Sequence, residues 1–177
     1  PAAGCSGGSR FEKAFKAVGE EGVVASLPYL IAGKAHADKK NYLWESGFDA
    51  LSEELVGIDK EGRLGKKGTA YVVTLHGGGI LTPKRIFEAY DEGLTEQYAA
   101  KLKQEEFDAV LQGNLLSGEK ITLHEVEDVG NGKILQPLGR YAVIMDLETA
   151  KATKSGYFKK KEFMNNPLVW ARVGTLE

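Results

Sequence analysis

Apolar positions near the start of the chain recur with a helical period. Phe11, Ala14, Phe15 and Val18 fall at i, i+3, i+4 and i+7, on one face. Ser9 and Glu12 precede them at capping-box spacing, so the pattern predicts a helix from Ser9 that Gly19 and Gly22 close. Residues 1–8 then read as a flexible Gly/Ser tail, and 9–177 as one domain. Ser26-Leu27-Pro28 predicts a second helix from Pro28 to about Ala37, because proline is tolerated in a first turn. Trp44, Phe48, Leu51 and Leu55 predict a third over Asn41–Val56, stopped at Gly57. The charged, glycine-rich stretch from Asp59 to Gly68 reads as a loop.

From there the period changes. Thr69–Leu75 is rich in β-branched and aromatic residues and apolar on both faces, which predicts a central strand. Thr82-Pro83 opens a helix carrying Ile86, Phe87 and Tyr90 and ending at Gly93. Thr95 is read as the cap of a further bent or divided helix with Tyr98, Leu102, Phe107, Val110 and Leu111, ending at Gly113. Lys120–Val126, Tyr141–Met145 and Leu168–Val173 read as strands. Helices early and strands late predict an α+β fold: a helical N-terminal third packed on a small mixed β-sheet, in a single domain.

Composition narrows the classes. Apolar residues at 42% and charged residues at 27% exclude a disordered chain. A net charge of -2 gives no general attraction to nucleic acid or anionic lipid. The longest apolar stretch, Val23–Ala32, is too short for a transmembrane helix. One cysteine, Cys5, allows no internal disulfide, and a cytoplasmic location is expected. The alternative comes from Ala2-Ala3-Gly4-Cys5 and the glycines and serines after it. They have the small-residue character of a lipoprotein cleavage site, which with an upstream leader would tether the protein to the outer face of a membrane.

The richest local chemistry lies where the Thr69–Leu75 strand meets the Thr82 helix. His76 is followed by Gly77, Gly78 and Gly79, which free the backbone from side-chain restriction. Amides there, with the helix start at Thr82, could cradle a phosphate or carboxylate, with His76 as general base or donor. Esterases of the α/β-hydrolase fold have such a His-Gly-Gly-Gly loop, but they set a G-x-S-x-G elbow on a strand-to-helix turn; the match in this chain, Gly4-Cys5-Ser6-Gly7-Gly8, lies in the Gly/Ser lead, and the helix-rich start does not fit that fold. Neither a P-loop nor a G-x-G-x-x-G fingerprint fits, since Thr82 stands where the last glycine belongs. Asp146, at the end of its own strand and two residues before Glu148, would orient His76 if the two strands ran parallel.

Three further features carry less. His36, His76 and His124 lack metal-ligand spacing. Lys151–Phe163 interleaves lysines with aromatics, and Asn165-Asn166-Pro167 forms a turn signal. Cys5 lies among glycines and serines with no cation to activate it. The leading expectation is a domain that binds a small anionic ligand through Gly77, Gly78, Gly79 and Thr82, with His76 and Asp146 as candidate catalytic groups. The sequence does not identify a cofactor. The alternative is a non-catalytic interaction module, free or tethered through Cys5, that presents its helical first third to a partner.

Overall fold

The structure is a computed structural model that describes residues 3–45, 48–95, 99–125, 140–147 and 170–176. The basic–aromatic stretch 151–163, the 165–167 turn, Glu148, Tyr98 and the Gly130–Gly132 loop lie outside the described residues.

The chain forms an α+β domain. Helices α1 (Ala3–Val18) and α2 (Leu27–His36) come first, then a 3-10 turn at Tyr42–Trp44. Strands β1 (Phe48–Asp59) and β2 (Thr69–His76) follow, then α3 (Pro83–Glu92), β3 (Ala100–Lys101), α4 (Gln104–Leu111), β4 (Thr122–Glu125), β5 (Tyr141–Asp146) and β6 (Trp170–Leu176). The strands form one sheet in the order β3-β6-β1-β2-β5-β4. Every pair is antiparallel except β4 with β5.

Several sequence signals are realised directly. β2 is central, between β1 and β5. Thr82 caps α3 by accepting the Arg85 N–H at 3.2 Å, Pro83 occupies its first turn, and Gly93 ends it at φ +85°. α1 extends back over the segment read as a tail, so Ser9 lies inside it.

Two expectations are corrected. Asn41–Val56 is not a helix: only Tyr42–Trp44 winds, and Phe48–Asp59 is a strand. Leu55 and Val56 are both fully buried, on opposite faces of the sheet, which a helix cannot arrange for adjacent residues. The Thr95 hydroxyl accepts the Ala99 N–H, and the helix described in this region, α4, starts only at Gln104, with a reciprocal contact between Lys103 and Glu106.

The sheet separates two cores. On one face Leu55, Val73, Leu75, Ala142 and Ile144 meet α3 and α4, with Phe107 fully buried. Gly57 makes that contact possible, because a Cβ there would stand 2.8 Å from the Phe107 ring. On the other face Val56 and Val72 form a smaller cluster with Leu147. α1 packs on α3, and α2 lies against β1 and β6.

Candidate functional site

The glycine run leaves β2 in a conformation open to few other residues: Gly77, Gly78 and Gly79 have φ of +92°, +70° and +136°. The turn concentrates amide donors on an anion, and that anion is the protein's own. Glu53, on β1, is 3% exposed and accepts N–H bonds from Gly79 (3.2 Å), Ile80 (3.1 and 3.3 Å) and Leu81 (2.9 Å). Gly77 donates to the Leu51 carbonyl at 2.9 Å, and Gly78 packs so that a Cβ would meet Leu51 at 2.8 Å. Thr82 is engaged as a helix cap. Burial pushes the Glu53 carboxyl above its usual range, against the three amides and the nearby Arg140 charge that pull it down.

Asp59, at the far end of the same strand, shows the opposite balance. Its carboxylate accepts from Gly62 and Leu64, both at 2.9 Å, and holds the β1–β2 loop. Burial opposes ionisation there too, but the loop amides outweigh it and keep the group below the ordinary carboxylate range.

His76 and Asp146 are not brought together. β2 and β5 are antiparallel, with His76 opposite Tyr141 and Asp146 opposite Tyr71. Tyr71 is five residues from His76, so the pair is separated by roughly 17 Å along the strand and faces opposite sides of the sheet. His76 instead joins a polar row that runs over β1, β2, β5 and β4. Its Nδ1 is hydrogen-bonded to the buried Ser52 hydroxyl at 2.9 Å, whose oxygen also accepts the Leu27 N–H at 2.9 Å. The Tyr141 ring lies 5.0 Å from the His76 ring, and His124 meets Tyr141 edge-on at 5.9 Å. Burial lowers the His76 pKa to about 4, so the imidazole is neutral at physiological pH. Among the described residues no cluster of three metal-ligating side chains occurs, and His36 is remote from this row, at the end of α2.

Beside the turn lies a pocket of about 360 Å³. Phe15, Val18, Val23 and Leu51 give it apolar walls, Gly77 closes one side, and Arg140 supplies a cation. Arg140 pairs with Glu119 on the surface. A second concavity, of about 500 Å³, runs between α2 and the 3-10 turn, along Tyr29, Gly33, His36, Tyr42 and Leu43.

The arrangement is similar to a C-type lectin fold. A solved structure reported as "Accommodation of massive sequence variation in Nanoarchaeota by the C-type lectin fold" superimposes with a TM-score of 0.56, over 93% of this chain and 81% of that one, at 15% identity. The likeness is one of fold. No family model and no curated protein matches the chain. Among the described residues no helix is long and apolar enough to cross a membrane.

Glu53 and Arg140 flank the turn, and neither stood out in the sequence. Glu53 lay inside the segment read as a helix, where a Glu-Glu pair reads as a solvated face. Arg140 follows a stretch with no periodicity. The glycine run marked the turn in the sequence, but gave no sign that an internal carboxylate would take up its amides.

Proposed function

We propose that the protein is a small-ligand-binding module of C-type-lectin-like fold, taking a ligand with an apolar body and an anionic head in the pocket beside Gly77. The observation that carries this reading is Arg140 in the lining of a mainly apolar pocket about 360 Å³ in volume, a size within the range of small-molecule sites. The head group meets the guanidinium, and the turn contributes Gly77 as wall in place of a full cradle of amides. Arg140 is 41% exposed and Glu119 55% exposed, so their pairing is worth little, and an anion can replace Glu119 at small cost. The solved relative's fold is reported to accommodate massive sequence variation. A rigid interior with a variable contact surface suits a binding module, and the internally satisfied Glu53 turn here is such an interior.

Titration calorimetry with decanoate and decanol tests the proposal. Decanoate binds and decanol binds more weakly. Arg140→Gln reduces decanoate affinity about tenfold, the scale of one charge-assisted hydrogen bond, and leaves decanol unchanged. Glu119→Gln tightens decanoate binding. Equal affinity for acid and alcohol, or an Arg140→Gln variant that binds decanoate like the parent, overturns the reading.

A further inference from the structure

Glu53 is a buried carboxyl placed to stand in either protonation state. Oε1 accepts from Gly79 at 3.2 Å, Ile80 at 3.3 Å and Leu81 at 2.9 Å, while the bond to Oε2, at 3.1 Å, comes from Ile80, which Oε1 shares. A proton on Oε2 therefore leaves Oε1 with its three amides, and the turn survives. Burial favours the acid form, and the amides favour the carboxylate, so a further charge nearby tips the balance.

That charge is Arg140. Leu75 on β2 pairs with Glu53 on one side and with Ala142 on the other. Residues two apart share a face, so Arg140, two before Ala142, lies on the Glu53 side of the sheet. Arg140 also lines the pocket beside Gly77, and so does Leu51. A Cβ on Gly78 would stand 2.8 Å from Leu51 and 3.7 Å from Glu53 Oε1, so a single residue separates the carboxyl from the pocket wall. Other charged groups about Glu53 are paired or turned away. Arg85 on α3 meets Glu106 on α4 at 3.6 Å and Glu92 at 3.3 Å, and Lys84 meets Glu88 at 3.7 Å. Lys16 and Glu12 pair on α1 at 3.2 Å. Opposite Glu53 on β6 is Val173, which carries no charge. Glu54, His76 and His124 lie on the opposite face, where α2 meets β1 through Leu27 and Ser52.

We propose that binding of an anion in the pocket beside Gly77 is coupled to uptake of a proton from solvent by Glu53 Oε2, so that the site holds its ligand more tightly as its surroundings acidify. This rests on the reading of that pocket as the ligand site. An anion on the guanidinium cancels the field that favours the carboxylate, so the Glu53 pKa, already above 4.5, rises further. By reciprocity, a protonated Glu53 leaves Arg140 more attractive to the ligand. Affinity rises as pH falls through the ligand-bound pKa and levels off below the ligand-free one.

Titration calorimetry with decyl sulfate, whose head group stays ionised from about pH 8 to about pH 5, tests the coupling. The parent binds about fivefold more tightly at the acid end, equivalent to a pKa displacement of roughly 0.7. Between those limits it takes up a fraction of a proton per ligand, read from the dependence of the binding heat on the ionisation enthalpy of the buffer. Glu53→Gln, which fixes the uncharged form, binds at every pH with the parent's acid-side affinity and takes up no proton. Glu119→Gln keeps the pH slope, which separates Glu53 from the surface carboxylate paired with Arg140. A slope that persists in Glu53→Gln, a slope lost in Glu119→Gln, or a parent with no proton uptake overturns the coupling. The site reading is separable from it. A parent that binds no decyl sulfate, or an Arg140→Gln variant that binds it like the parent, overturns both. Binding that needs Arg140 but is indifferent to pH overturns the coupling alone.

Discussion

Replacing Glu53 separates the two roles a buried carboxylate can have, as a charge and as an acceptor. The three amides of the turn converge on Oε1, while Oε2 receives only Ile80, which Oε1 shares. Glu53→Gln, with its carbonyl in the Oε1 position, keeps all three donors satisfied. Glu53→Leu satisfies none. Each buried donor left without a partner costs about 1–3 kcal/mol, so Glu53→Leu is expected to lose at least about 3 kcal/mol, whereas Glu53→Gln loses about 1 kcal/mol or less. With a urea slope of roughly 2 kcal/mol per molar, the leucine variant unfolds about 1.5 M earlier. That is a large share of a total stability of about 5–15 kcal/mol. The pH dependence sharpens the test. The folded-state pKa of Glu53 is raised above its ordinary value of 4.5, so its contribution to stability is fullest below that value and is lost as pH rises through the raised one. Glu53→Gln lacks this dependence and therefore gains on the parent between pH 5 and pH 8. His76 titrates equally in both proteins and cancels in the difference. Urea unfolding of the three proteins at both pH values reads the result. A glutamine variant as damaged as the leucine variant shows that charge holds the turn and refutes the argument from acceptor geometry. A leucine variant within 1 kcal/mol of the parent refutes it from the other side.

Other outcomes follow from the same packing. Gly57→Ala forces a Cβ to 2.8 Å from the Phe107 ring and should cost about 1–3 kcal/mol in thermal or urea unfolding, most of it recovered in combination with Phe107→Leu. Ser52→Ala deprives the Leu27 N–H and His76 Nδ1 of their partner and should cost about 1–3 kcal/mol by urea unfolding. The His76 ring, with a pKa of about 4, should show no NMR titration between pH 5.5 and 8. Its contribution to stability is present above the unfolded value of 6.5 and is lost as pH falls toward 4.

The sequence was most informative where one signal decided an element locally. Thr82-Pro83 and Gly93 bound α3 because a cap, a fixed proline φ and a left-handed stop each act within one turn. Thr69–His76 read as central because both of its faces are apolar, and it is paired on both sides. β1 was misread because the spacing of Trp44, Phe48, Leu51 and Leu55 fits a helix, and its Leu-Ser-Glu-Glu-Leu core favours one. Pairing with β2 and β6, both distant in sequence, overrides that preference, and a local window contains neither partner. The site followed the same rule. Gly77–Gly79 marked a place where amides converge, which is a local property. That Glu53 fills it, and that Asp146 lies beyond reach of His76, depend on strand register and direction. Those are set by pairing between strands, as in the Gly79 bond to Glu53, 26 residues away.

β6 is the last strand in chain order, yet it occupies a place inside the sheet, between β3 and β1. During translation the other described strands leave the ribosome before it. Until residues 170–176 emerge, a nascent chain carries β1 as a bare edge twelve residues long and β3 with nothing to join. Such an edge is open to pairing with other polypeptides. A protease that removes this strand therefore yields a product that cellular quality control meets as unfinished, even though the described helices and the central hairpin are all encoded upstream.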